Sequence, residues 1–127
     1  MSGKPAAVVT GGAGFIGSHL VDALLAADFS VRVVDNLVGG HRSNLDHHMG
    51  SPDLACYWQD VRALEPGSPI FAGAQYVFHL AGIGDIVPSI EQPTQYMDTN
   101  VQGTVRVLEC ARHAGVEIGR ASCRERV

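Results

Sequence analysis

Between Val8 and Leu25 the chain reads VVTGGAGFIGSHLVDALL, with glycines at set intervals on the seam between an apolar run and an amphipathic one. The spacing reads in two ways. Gly12-x-Gly14-x-x-Gly17 is the general dinucleotide fingerprint, and Gly11-x-x-Gly14-x-x-Gly17 is a wider variant of it. Gly11 permits a sharp turn, Gly14 lets a ligand approach the backbone, and Gly17 lets a helix pack on a strand. The unpaired N–H groups of the helix start, at the positive end of its dipole, favour a phosphate there. Asp35 closes the next apolar run about 20 residues on, where the fingerprint places an acid. Its carboxylate can accept from both hydroxyls of an adenosine ribose, each charge-assisted bond contributing about 1.5–3 kcal/mol. The same charge repels a 2′-phosphate and so selects NAD over NADP, with Arg42 close enough in sequence to keep NADP in view. The glycines alone read equally as a tight turn with no ligand; strand, helix and acid together point to a dinucleotide. No Gly-Lys-Ser/Thr follows, which excludes a P-loop. Flavin or methyl-donor binding fits the glycines less specifically.

The elements that must position these residues follow from periodicity. Ala6–Thr10 is a short apolar run and reads as a buried strand. Phe15, Ile16, Leu20, Leu24 and Ala27 recur at helical spacing. Residues 31–35, 53–60 and 75–82 read as further strands, with a polar loop between the second and third that holds a helical turn near Asn44–His48. A long helix is expected from Pro93 to Ala114, with Tyr96, Met97, Val101, Val105, Leu108 and Ala111 as its apolar positions and Gly115 as its C-cap. Strands alternating with helices predict an α/β, Rossmann-like, doubly wound parallel sheet.

Length and composition bound the rest. The 127 residues suit one domain, and 46% apolar with 17% charged residues is an ordinary globular balance. The net charge of −4 argues against nucleic acid or an anionic membrane as partner. Cys56, Cys110 and Cys123 are far apart and odd in number, which fits a reducing, cytoplasmic setting better than a disulfide framework. No stretch approaches the roughly 18 apolar residues of a membrane span.

The segments TGGAGFIGSHL, VVDNL, QDVR, VFHLAG and YMDTNVQGTVRVLECARHAGV together resemble the extended short-chain dehydrogenases/reductases, from about Ala6 to Val116. Within that group the resemblance is to the NAD-dependent sugar-nucleotide epimerases and dehydratases, especially those like UDP-glucose 4-epimerase. It implies that Gly11, Gly14 and Gly17 hold the cofactor's pyrophosphate, with the backbone of Phe15 and Ile16 at the helix start. Asp35 and Asn36 would contact the adenosine ribose. Asp60 through its side chain and Val61 through its backbone would bracket the adenine. Leu80, Ala81 and Gly82 would pass under the cofactor, and Asn100 would support the active-site backbone near the nicotinamide. The implied partner is a nucleotide sugar, and the helix at 93–114 is a candidate for homodimer pairing.

Plainer readings stand beside these. Asp60 also reads as a strand-ending acid or helix cap, Asn100 as a polar helix residue, and His79 as a hydrogen-bonded packing residue. His47 and His48 read as a solvated polar patch and no metal site is expected, because adjacent residues on a helix point apart and no third ligand is near. Gly84 departs from a lysine that some epimerases place two residues after the Ala-Gly pair.

In this family a Tyr-x-x-x-Lys pair moves the substrate proton, the lysine lowering the tyrosine pKa. Lys4 is the sole lysine, and the residues four after Tyr57, Tyr76 and Tyr96 are Val61, Leu80 and Asn100. The chain is therefore expected to be the NAD-binding part of such an enzyme and inactive by itself, the alternative being a non-catalytic NAD-binding module. The domain is expected over 1–116. Residues 117–127 resemble the translation of a short-read sequencing adapter and are expected to be a non-native tail. The sheet should then hold about four strands in the order 3-2-1-4, with the fourth as a bare edge.

Overall fold

A computed structural model of the chain describes residues 3–82 and 90–116. The expectations for Gly84, Cys123 and the tail at 117–127 fall outside these residues. The four strands are β1 (Ala6–Thr10), β2 (Ser30–Val34), β3 (Leu54–Tyr57) and β4 (Tyr76–His79). All are parallel, in the order β3-β2-β1-β4. The register sets Thr10 between Val34 and His79, so the C-terminal ends of the strands share one edge.

β1 lies at the centre and all five of its residues are buried. Period-2 alternation sends its side chains to two separate cores. Val8, with Val34 of β2, packs against Val61, Leu64, Phe71, Val107 and Cys110 on one face. Ala7 and Val9, with Val31 and Val33, pack against Val21, Leu24 and Leu45 on the other. Each fully buried valine contributes about 1.5–3 kcal/mol through lost apolar hydration. Arg32 of β2 would be a misfit on the first face. Its guanidinium instead reaches the carbonyls of Ile70 and Ala72, each at 2.7 Å.

Helix α1 (Phe15–Ala26) covers the second face. Its buried residues are Gly17, Ser18, Val21 and Leu24, while Phe15 and Ile16 are 77% and 70% exposed. The helix is therefore rotated from the face that apolar spacing predicts, because the close approach at Gly17 decides which side meets the sheet. The expected helical turn after β2 is a 3₁₀ turn, Arg42–His48, whose Leu45 is fully buried.

The long helix is present but not uniform. It runs as α2 (Pro93–Met97), a π-helical turn (Asp98–Gln102) and α3 (Gly103–Ala114), closed by Gly115 at φ 75°. Its buried side is Thr99, Gly103, Val107, Cys110 and Ala111. Met97, Val101, Val105 and Leu108, the apolar positions read from the sequence, are 44–57% exposed. Gly103 explains which side faces inward, since a Cβ there would lie 2.7 Å from Val61 Cγ2. The helix packs tightly on the 3₁₀ turn Val61–Ala63 at its smallest residue and turns its apolar stripe outward. Among the described residues no helix is long and apolar enough to cross a membrane.

Candidate functional site

β1 ends at Thr10, and Gly11 turns the chain with φ 74° while its N–H donates to Val34 O at 2.7 Å. Only glycine enters that conformation without strain. A Cβ on Gly11 would also lie 2.8 Å from Ala81 N and from the Leu80 carbonyl carbon. Gly17 is constrained from within the loop, because a Cβ there would collide with the Gly11 carbonyl. Gly12 packs on Val33 of β2, so it belongs to the strand–loop contact. Gly14 differs: a Cβ would meet Gly11 O at 3.4 Å and Gly39 O at 3.9 Å, which is ordinary contact. Among the described residues nothing forbids a Cβ at Gly14, which itself lines a cleft. Of the two spacings left open, the wider one, 11-14-17, carries the turn, the open wall and the helix packing.

Gly14 is the N-cap of α1, and among the described residues no side chain caps the first turn. The N–H groups of Phe15, Ile16 and Gly17 thus begin the helix without intrahelical acceptors. Asp35 follows β2 and is buried. Its Oδ2 accepts the buried Ala13 N–H at 2.9 Å, and its Oδ1 accepts Leu37 N–H at 2.6 Å. The carboxylate therefore pins the glycine loop to the end of β2 and keeps acceptor capacity on both oxygens. The loop is held from a third side by the segment after β2. His41 N–H and Asn44 Nδ2 both donate to Ala13 O, at 3.1 and 2.7 Å. A Cβ on Gly40 would sit 2.7 Å from that carbonyl.

Gly11, Gly14, Asp35, Asn36, Asp60, Val61, Leu80, Ala81 and Gly82 all line one cleft at the C-terminal edge of the sheet, of about 610 Å³ including the part open to solvent. Phe15, Ile16 and Gly17 stand beside it in the first turn of α1. Asn100 sits in the π-helical turn, and a Cβ on Gly82 would fall 2.9 Å from its Oδ1. Asp60 performs the capping role weighed for it. Its Oδ1 accepts Arg62 N–H at 2.8 Å at the head of a 3₁₀ turn, and its carboxylate takes Arg62 Nε and Nη2 as a fork. Asn36 Nδ2 donates to the same carboxylate at 3.3 Å. The Arg62 side chain, with these bonds, holds Asp60 below the usual carboxylate range.

Gly40 and Arg62 were missed in the sequence. The doubled glycine at 39–40 was a usable signal for the first. Arg62 gave none, because its role depends on a fork to a carboxylate two residues away. Arg42 is engaged elsewhere, its guanidinium 4.9 Å over the Trp58 ring.

Beneath the cleft a polar chain crosses from β1 to the π-helical turn. Thr104 Oγ1 donates to Asn100 O at 2.7 Å, so it accepts from His79 Nε2 at 2.9 Å. His79 Nδ1 is then the acceptor for Thr10 Oγ1 at 2.6 Å. The two lone pairs of Thr10 Oγ1 are filled by Leu80 N–H and Ala81 N–H, at 3.0 and 3.1 Å. Every proton is placed only when His79 is neutral with its hydrogen on Nε2. Burial lowers its pKa from the ordinary 6.5 in the same sense. His79 is thus the hydrogen-bonded packing residue its setting suggests. The folded form disfavours the imidazolium, so stability is complete above pH 6.5 and falls as pH drops from there through the depressed value. Urea midpoints of the wild type should decline between pH 7.5 and 5.5. His79→Gln, though less stable, should show a shallower decline.

The reading of His47 and His48 as pointing apart is corrected. Both rings turn toward Asp22 of α1, and their centroids lie 4.0 Å apart.

A parallel sheet with helices on both faces, and a glycine turn into an uncapped helix beside a strand-ending acid, define a Rossmann-type nucleotide-binding domain. Residues 7–124 match the family model "NAD dependent epimerase/dehydratase family", and the chain belongs to that family. It is 40% identical over 108 residues to UDP-glucuronic acid decarboxylase 4 of Arabidopsis thaliana, covering 85% of this chain and 23% of that protein. Against UDP-glucose 4-epimerase of Lacticaseibacillus casei it is 36% identical over 111 residues, covering 86% of this chain and 32% of that one. Among solved structures, a dTDP-glucose 4,6-dehydratase from Streptomyces venezuelae with NAD bound superposes with a TM-score of 0.79 at 38% identity, covering 87% of this chain and 37% of that chain. The chain thus spans about a quarter to a third of the curated relatives it matches.

Proposed function

We propose that this chain is the NAD-binding part of a nucleotide-sugar epimerase or dehydratase. The observation that carries the reading is the uncapped start of α1, with Gly14 leaving the cleft wall open beside the buried Asp35. The first turn at Gly14–Gly17 would take the pyrophosphate, since backbone N–H groups and the helix dipole both favour anionic oxygens there. Asp35, assisted by Asn36, would accept from the adenosine ribose. Asp60 and the Val61 backbone would face the adenine, and Leu80, Ala81 and Gly82 would form the floor. Asn100 would hold the backbone at the nicotinamide end, through the Thr104 and His79 chain that fixes its carbonyl. Bound NAD supplies a hydride acceptor that also returns the hydride. The substrate class is a nucleoside-diphosphate sugar, on the strength of the relatives' names.

With Lys4 as its single lysine, the chain has no Tyr-x-x-x-Lys and would bind without turnover. The exposed stripe of Met97, Val101, Val105 and Leu108 supports pairing of two copies through this helix. The free thiols of Cys56 and Cys110 support a cytoplasmic setting. Calorimetric titration of the folded chain tests the reading. NAD should bind at one site and NADP more weakly, whereas a folded chain with no affinity for NAD would overturn it. UDP-glucose should show no epimerisation with the chain alone.

A further inference from the structure

Asp22 lies on the solvent side of α1, and His47 and His48 end the 3₁₀ turn that follows β2. Successive side chains in a 3₁₀ turn diverge by about 120°. These two nevertheless converge, with His48 Nε2 2.5 Å and His47 Nε2 2.9 Å from the same Asp22 Oδ1. Three ligand atoms of metal-binding type therefore meet within 4.8 Å of one another, one on α1 and two on the turn after β2.

We propose that Asp22, His47 and His48 form a site for one borderline transition-metal dication of the zinc class, which staples α1 to the turn after β2. The donor set decides the class. Two imidazole nitrogens with one carboxylate suit zinc, cobalt or nickel, whereas calcium and magnesium call for oxygen ligands. The geometry is within reach. Metal–ligand bonds of about 2.0–2.2 Å in a tetrahedral arrangement separate neighbouring ligand atoms by about 3.3 Å. The present hydrogen-bonded spacings need to open by less than about 1 Å, and the side chains of His47 and Asp22 are 57% and 44% exposed. Each neutral imidazole keeps its one hydrogen by carrying it on Nδ1, and a water completes the fourth position.

The placement gives the staple a consequence. The same 3₁₀ turn carries Asn44, and the residue before it is His41; both already hold Ala13 O of the glycine loop. A metal between α1 and this turn would fix the loop's outer clamp from below. The inference stands independently of the dinucleotide reading, since none of the three residues lines the cleft.

Titration of the chain with Zn²⁺ alone, followed by calorimetry, should show one equivalent bound and a raised Tm. Asp22→Asn, His47→Gln and His48→Gln should each weaken binding by at least about tenfold, as loss of a ligand does where even loss of a supporting partner lowers affinity 10–100-fold. His113→Gln, at an exposed histidine elsewhere, should bind as the wild type does. Asp22 and His47 are largely exposed and His48 is part-buried, so unaltered far-ultraviolet dichroism separates lost affinity from lost folding. Co²⁺ provides the second readout, with visible bands free of thiolate charge transfer. Absence of saturable binding, binding unchanged in Asp22→Asn, or a thiolate–cobalt band would each overturn the proposal.

Discussion

Gly11→Ala and Gly17→Ala are expected to unfold much of the population, while Gly14→Ala stays folded and loses NAD. The three substitutions add the same methyl group within seven residues, so their divergence isolates what each position touches. At Gly11 the methyl group demands a left-handed backbone, about 1–2 kcal/mol, and pushes on the Leu80–Ala81 peptide. At Gly17 it strikes the Gly11 carbonyl, and neither partner is a side chain that can swing away. Overpacking of this kind costs about 1–3 kcal/mol or more, a large part of the roughly 5–15 kcal/mol that holds an ordinary domain together. At Gly14 the backbone is extended, φ −78°, and the nearest atom of the described residues is 3.4 Å from the added methyl group, so the fold should lose little. The methyl group would instead occupy the wall where a phosphate must approach. Urea midpoints and NAD titrations on the three variants check this. A Gly14→Ala protein that binds NAD as the wild type does would remove the phosphate role from the α1 start.

Asp35→Ala should weaken NAD at least about tenfold and destabilise the chain at the same time. Removing the carboxylate takes the acceptor from Ala13 N–H, which is buried, and from Leu37 N–H. Hydrogen bonds to a charged group contribute about 1.5–3 kcal/mol each, and an orphaned buried N–H adds a comparable penalty. Tenfold in affinity is about 1.4 kcal/mol, so the loss of a single ribose bond suffices. Asp35→Asn separates the two roles. Its one remaining carbonyl oxygen can keep Ala13 or Leu37, while the amide N–H₂ opposes a donor. Stability should recover in part and NAD affinity should not. If Asp35→Asn bound NAD like the wild type, the ribose role assigned to this carboxylate would fail.

The central strand shows how much of the fold local pattern carries. Ala6–Val9 is apolar without interruption, as a strand buried on both faces must be, and the strand begins at Ala6 and ends one residue later at Thr10. The neighbouring runs gave strands with ends shifted or trimmed, 30–34, 54–57 and 76–79 in place of 31–35, 53–60 and 75–82, because ladder pairing sets the ends. Nine of the thirteen residues implicated by motif line one cleft, because a parallel sheet brings every strand's C-terminal end to the same edge. Helix faces were less legible. Apolar spacing at Met97, Val101, Val105 and Leu108 marks a stripe that must be covered, but does not say whether the sheet or another surface covers it.

By itself the sequence determined the alternation of strands and helices, the glycine turn and the acid beyond it. These depend on residues near one another in the chain, where spacing and backbone freedom act directly. The tertiary structure alone decided which face of each helix meets the sheet, that the Asp35 carboxylate clamps the glycine loop to the end of β2, and that Asp22 meets His47 and His48. Those outcomes rest on close approaches at Gly17, Gly40 and Gly103 and on carboxylates reaching across 22 to 26 positions of chain. No local periodicity encodes which distant atoms will share a donor.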